Sequence, residues 1–256
     1  MMYAQKAAGS VPKQTISPIR KTYIARLIGR CVILVWSFVL WRRNREVFRI
    51  LDGMAFFDRF SLLHILWFIW ILDMLGQLIP VKQSISLGSQ KYMAFRFRPA
   101  KQAVNREGLR KYIAASTKRA AWVFVLWTCL IAAIGMLYFK GLLGKAELFL
   151  ISVVFYVCDL ICVLIWCPFR LMLGNRCCTT CRIFNWDHLM MFSPLVFVGG
   201  FFAVTLVALA VVVWVVWEIS VAKHPERFWE QTNAALKCGA CTDKLCTQYC
   251  GRKKSA

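Results

Sequence analysis

With 256 residues, 59% of them hydrophobic, 11 Trp and only 18% charged residues, and a mean hydropathy of +0.57, the chain lies outside the range of soluble globular domains and falls in the membrane class. Its formal charge of +21 comes from 33 Lys and Arg against 12 Asp and Glu. That excess suits flanks and loops facing a lipid bilayer with anionic headgroups; no separate polar domain carries a basic stripe, so nucleic acid is not expected as a partner.

The expected fold class is all-α: a polytopic helical membrane domain of about five transmembrane helices over residues 23–217, preceded by a polar tail, 1–22, and followed by a basic, Cys-rich tail, 218–256. The N-terminal tail holds Lys6, Lys13, Arg20 and Lys21 with Pro12 and Pro18 and reads as irregular surface chain. A first span is placed at 23–41. Its apolar run from Cys31 to Trp41 is short, so the span must take in Arg26 and Arg30, whose head groups are expected to snorkel to the interface. Trp41-Arg42-Arg43-Asn44 offers no small-residue cleavage site, which argues against a removable signal segment. Residues 42–59 read as a basic loop with a short surface helix.

The second span, 60–79, stops at Pro80 and carries His64 and Asp73. Nine residues apart, the two point to opposite sides of a helix, and ionisable groups inside a span are functional candidates. Residues 81–119 hold ten Lys and Arg and form the most basic loop, the one the positive-inside rule sends to the cytoplasm. Its Ser86-Leu87-Gly88-Ser89 stretch lacks the spacing of a phosphate loop, so no nucleotide is assigned. The third and fourth spans, 121–139 and 148–167, are joined by a tight connection. On the fourth, Cys158, Asp159 and Cys162 fall on neighbouring helical positions. They form either a thiol or soft-metal site, or packing residues beside a hydrogen-bonding carboxylate; Cys31, Cys129, Cys158 and Cys162 are read as small buried hydrophobes. The fifth span, 192–217, contains Gly199-Gly200, a place for another helix to approach or a flexible point.

Two cysteine clusters stand outside these runs. The loop after the fourth span offers Cys167, Cys177, Cys178 and Cys181, and the tail offers Cys238, Cys241, Cys246 and Cys250 with x2, x4 and x3 spacing. Pairs two residues apart aim both sulfurs at one centre, so each cluster is a candidate for Zn or an iron–sulfur centre. The competing reading is surface thiols, reduced or bridged, and a catalytic thiol pair lacks a surrounding βαβ pattern. With the span 192–217 between them, the clusters are expected on opposite faces of the membrane, sharing a centre only across subunits or through a re-entrant segment. In that loop Trp186 is expected as a headgroup anchor and Asp187 as the cap of the last span. Lys and Arg counts differ too little between the two faces of a five-span arrangement to orient the chain.

The stretches Leu62-Leu63-His64-Ile65-Leu66-Trp67 through Asp73-Met74-Leu75-Gly76-Gln77-Leu78, Asn175-Arg176-Cys177-Cys178-Thr179-Thr180-Cys181-Arg182-Ile183-Phe184-Asn185-Trp186-Asp187, His224-Pro225-Glu226-Arg227-Phe228 and Cys238-Gly239-Ala240-Cys241-Thr242-Asp243-Lys244-Leu245-Cys246 resemble an uncharacterised family of bacterial multi-pass membrane proteins. The resemblance covers most of the chain after about residue 24, leaves Cys250 unmatched, implies a bacterial inner membrane and supplies no catalytic residue. No recognisable nucleophile, nucleotide or metalloprotease motif is present, which favours a non-enzymatic or accessory protein whose thiol clusters hold a structural metal. A membrane redox component passing electrons or disulfides is the alternative, and a small transporter using Asp73 and Asp159 is a third. A homo-oligomer or a larger membrane complex fits any of the three.

Overall fold

The computed structural model describes residues 17–80, 86–101, 105–175, 177–241 and 243–245. The fold is all-α; among the described residues the only β pairing is an isolated bridge between Pro99 and Asn233. Eight α-helices follow one another: α1 (Pro18–Arg43), α2 (Leu62–Leu78), α3 (Leu87–Gln90), α4 (Arg106–Phe139), α5 (Lys145–Leu164), α6 (Pro168–Leu173), α7 (Asp187–Phe192) and α8 (Gly200–Lys223). Of these, α1, α4, α5 and α8 are long and apolar enough to cross a membrane. The apolar α2 has 17 residues and spans about 26 Å.

Two helices, α1 and α4, start well before the expected spans because polar side chains cap them ahead of the apolar runs. Ser17 accepts from the amide of Arg20 ahead of Pro18, so α1 begins inside the segment read as a tail. Asn105 accepts from the amide of Gly108 and opens α4 inside the segment read as a basic loop. At 34 residues α4 reaches about 51 Å, well beyond the hydrocarbon thickness of about 30 Å.

The largest difference lies in residues 184–199. The expected fifth span starts at 192, but the long helix starts only at Gly200, because Gly199 and Gly200 both adopt positive φ. A Cβ on Gly200 would sit 2.8 Å from the Leu51 carbonyl oxygen and 2.9 Å from the Gly53 nitrogen. The turn Phe184–Trp186, α7 and the turn Ser193–Phe197 instead make a separate traverse of the bundle, broken at Pro194. Its course is marked by its contacts. Asn185 donates to Ser89 O at one end, Phe192 packs on Trp70 midway, and Phe197 sits against Gly135 and Phe139 at the other.

With α1, α2, α4, α5 and α8 that makes six traverses, an even number, so residues 17 and 243 meet: the Ser17 hydroxyl donates to Asp243 O at 2.7 Å. The described cysteines of the two clusters therefore lie at one end of the bundle, here called the thiol end, and not on opposite faces. The core, built around the fully buried Trp70 with Phe149, Tyr156, Phe192 and Phe202, fills the middle and the far end. Such interlocking rings supply the dispersion that must replace a hydrophobic driving force between helices in lipid.

Candidate functional site

The inner surface of the thiol end is built on buried charges. Arg30 of α1 does not snorkel to an interface: it is buried, its Nη1 lies 2.7 Å from Asp159 Oδ2 of α5 and donates to Tyr156 O at 2.6 Å, and its guanidinium stacks over the Tyr156 ring at 3.8 Å. Arg30 Nη2 is 3.8 Å from Asp73 Oδ2 of α2. Asp73 in turn faces His188 of α7, whose Nε2 is 3.4 Å away without hydrogen-bond geometry, while His188 Nδ1 lies 3.2 Å from Asp187 Oδ1. Gln77 Nε2 donates to Asp187 Oδ2 at 3.2 Å, and the Tyr92 hydroxyl donates to Gln77 O. Three carboxylates, a guanidinium and an imidazole from four helices thus form one network. It lines a cavity of about 190 Å³ that also includes Tyr23, Arg26 and Ser89.

Asp159, Val163, Phe184 and Asp187 form a wall shared with a second cavity of about 300 Å³. On its far side the material changes to sulfur: Cys158, Cys162, Cys167, Cys178, Cys181, Met190 and Met191 line it, framed by Trp127, Phe155 and Phe169. Cys162 near the end of α5 and Cys167 at the start of α6 are brought to one cavity because the chain turns at Ile165 and Trp166. Cys162 donating, with the amides of Phe169 and Arg170 and the Arg170 charge, draws the Cys167 thiol down to about 7 against the opposing effect of burial. Burial pushes the Cys178 thiol up, and pushes Cys181 up to about 11 despite Lys91 beside it.

Lys91 pins the cysteine loop. Its Nζ donates to Cys181 O at 2.5 Å and reaches Thr179 O at 3.5 Å, under the rings of Trp217 and Phe228 at 4.9 and 5.4 Å. Complete burial brings its ammonium down to about 7. The Arg182–Glu218 pair closes the loop on α8, with Trp186 Nε1 also donating to Glu218 at 2.7 Å. Trp186 is therefore buried rather than a headgroup anchor, and Asp187 holds Gln77 and His188 instead of capping the last long helix.

The expected site residues divide as follows. Cys167, Cys178 and Cys181 share the thiol cavity. Cys177, its Sγ 2.7 Å from Thr179 Oγ1, lies outside the lining and within electrostatic reach of Cys241. Cys238 is exposed and Cys241 half-buried; Cys246 and Cys250 lie outside the described residues. Among the described residues no three His, Cys, Asp or Glu side chains gather into a metal site.

Asp73 and Asp159 are network members, but His64 is a capping residue: its Nδ1 accepts from the Ser61 amide at 2.9 Å and its Nε2 contacts Phe56 O at 2.7 Å. Cys31, Cys129 and Cys158 are exposed on the outer face rather than buried. Sequence reasoning missed Arg30, Lys91, His188 and the role of Cys162. For Arg30 the signal was there, a cation in one apolar run and two carboxylates in others. No protein-family model, curated protein or solved structure matches the chain.

Proposed function

We propose that the protein is a multi-pass membrane redox component that closes and opens a disulfide between Cys162 and Cys167 and exchanges it with Cys178 and Cys181. The observation that carries this reading is that Cys162 and Cys167 line one cavity together with the Cys178–Cys181 pair. Exchange requires a thiolate, a partner sulfur in reach and a place for the leaving thiolate. The Cys167 thiol, drawn down to about 7, is the nucleophile, and Cys178 is within its electrostatic reach. In each exchange a new S–S bond forms as the old one breaks, so two electrons pass from one pair to the other. Cys177 and Cys241 extend the series toward the surface. A structural metal would need three or four ligands at one centre, whereas these residues offer thiols in pairs.

The setting that fits is six passes of a bacterial inner membrane, as the family resemblance implies, with the thiol end in the cytoplasm. Setting the buried Arg30 aside, eighteen Lys and Arg of the described residues belong to the thiol end and seven to the other. A cytoplasmic thiol end keeps the pairs reduced until an oxidant arrives.

Mild oxidation of the purified protein with diamide, followed by alkylation and peptide mapping, tests the reading. The expected product is a Cys162–Cys167 disulfide that dithiothreitol reverses and that Cys162→Ser and Cys167→Ser both abolish. A pair that stays reduced, in protein carrying a stoichiometric metal, overturns it.

A further inference from the structure

We propose that the thiol cavity is the binding site for the head group of a lipid-soluble quinone, the two-electron acceptor for the Cys162–Cys167 pair. This rests on the redox reading above and names its co-reactant. The first observation is where the cavity opens. Cys158, at its mouth, is exposed on the same outer face of α5 as Val154, with Ile165 and Trp166 exposed just beyond. That face belongs to a helix apolar enough to cross a membrane, so the route in runs through lipid rather than water.

The second observation is shape. Trp127 and Phe155 meet at 4.9 Å between ring centroids and Trp127 and Phe169 at 6.4 Å, framing a space of about 300 Å³ with aromatic faces. That matches the small end of ligand pockets and suits a flat, uncharged ring. The third is what the walls hold. The carboxylates of Asp159 and Asp187 are already engaged by Arg30, Gln77 and His188 on the opposite side of the wall; beside the Arg170 cation, the dithiol is the redox-active feature of the lining.

The chemistry closes without further components. Cys162 and Cys167 lose two protons and two electrons and form one S–S bond; the quinone takes both protons and both electrons on its two carbonyl oxygens and leaves as the hydroquinone. A ligand that diffuses in the bilayer removes the electrons laterally while the Cys178–Cys181 pair resupplies them from the thiol end.

Duroquinone is the probe, because its ring is fully substituted and thiols cannot add to it. Mixed anaerobically with reduced protein in detergent, it is expected to yield one hydroquinone for each disulfide formed, the Cys162–Cys167 disulfide among them. Cys158→Trp, on the exposed mouth where a bulky side chain has room, is expected to slow that reaction about tenfold while leaving closure by diamide unchanged; Cys129→Ser, on an outer face of α4, alters neither. A pair that diamide closes and duroquinone leaves reduced overturns the quinone assignment and spares the redox reading. Oxidation of Cys158→Trp by duroquinone at the unaltered rate overturns it as well, since the cavity is then not the place of reaction. If diamide also fails to close the pair, both proposals fall.

Discussion

The cavity beside Arg30 and the cavity beside Cys162 share Asp159, Val163, Phe184 and Asp187, yet the two sides of that wall are built on opposite terms. On one side Arg30, Asp73 and Asp159 meet across three helices, with His188 and Gln77 holding Asp187, so desolvation is offset only by the whole set. On the other side, apart from Arg170 and the shared carboxylates, the polar groups are thiols, which cost little to bury and are not locked into that network. The first cavity is therefore a structural joint between α1, α2, α5 and α7, and the second is a place where bonds can change without loosening that joint. Separate substitutions on the two sides should show that division.

The largest expected effect belongs to Arg30. Arg30→Met strands Asp159 and leaves Asp73 with only His188, and removing one partner of a buried pair typically costs about 3–5 kcal/mol. Thermal unfolding in detergent should show a loss of that order, and adding Asp159→Asn to the same chain should recover most of it. Recovery would show that the loss comes from an uncompensated charge. An Arg30→Met protein as stable as the parent would mean that the network carries no stability.

Next in size is Gly135→Ala, which tests whether both cavities depend on the broken traverse between Phe184 and Phe197. A Cβ on Gly135 would stand 2.5 Å from the Phe197 ring, tight enough to push the lower half of that traverse outward. Overpacking of this kind costs about 1–3 kcal/mol. Phe197→Leu in the same chain should return part of the loss, because the second change frees the space that the first one fills.

These two positions also show what the sequence could and could not disclose. The all-α architecture and the four long apolar helices were legible because composition and run length report burial in lipid directly. The sixth traverse was not, because Phe184–Val198 mixes short turns with Ser193-Pro194 and never makes an apolar run of helical length. Missing one traverse reverses the parity of the chain, and that alone separated the loop cysteines from Cys238 and Cys241, which the fold places at the same end. The thiol pair was hidden for a different reason. Cys162 and Cys167 fall on either side of a helix end, where spacing rules for continuous helix do not apply, while Cys178 and Cys181 stood out because two-residue spacing survives in a loop. Arg30 was visible as an ionisable group in an apolar run, but its partners come from helices far away in the sequence.

Lys91 sharpens the comparison from the loop above the wall, where an ammonium is buried among carbonyls and rings with no carboxylate among the described residues in hydrogen-bond contact. Its folded value of about 7 lies below the ordinary 10.5, so between those values the unfolded chain holds a proton that the folded chain lacks. Stability should therefore rise with pH above about 7, by at most about 1.4 kcal/mol per pH unit from this group. The burial cost is fully present below pH 7. Cys167 adds a slope of the same sign up to the ordinary thiol value of 9, so the comparison that isolates Lys91 is the parent against Lys91→Met. The variant should be at least as stable at neutral pH and its stability should rise less steeply with pH; equal slopes would mean that Lys91 does not titrate there.

The smallest expected effect on folding is at Cys162 itself, and its smallness is the point. Cys162 is half-buried in the cavity lining and is close in volume to serine. Cys162→Ser should change unfolding stability by less than about 1 kcal/mol, in contrast to the several lost at Arg30. The same substitution should leave the Cys167 thiol low, because a serine hydroxyl donates to sulfur at least as well as a thiol does, and should abolish the disulfide. Alkylation rate against pH reads the first effect and peptide mapping the second. If Cys162→Ser instead destabilised the protein as much as Arg30→Met, the thiols would be structural joints like the charges, and the division between the two sides of the Asp159 wall would not hold.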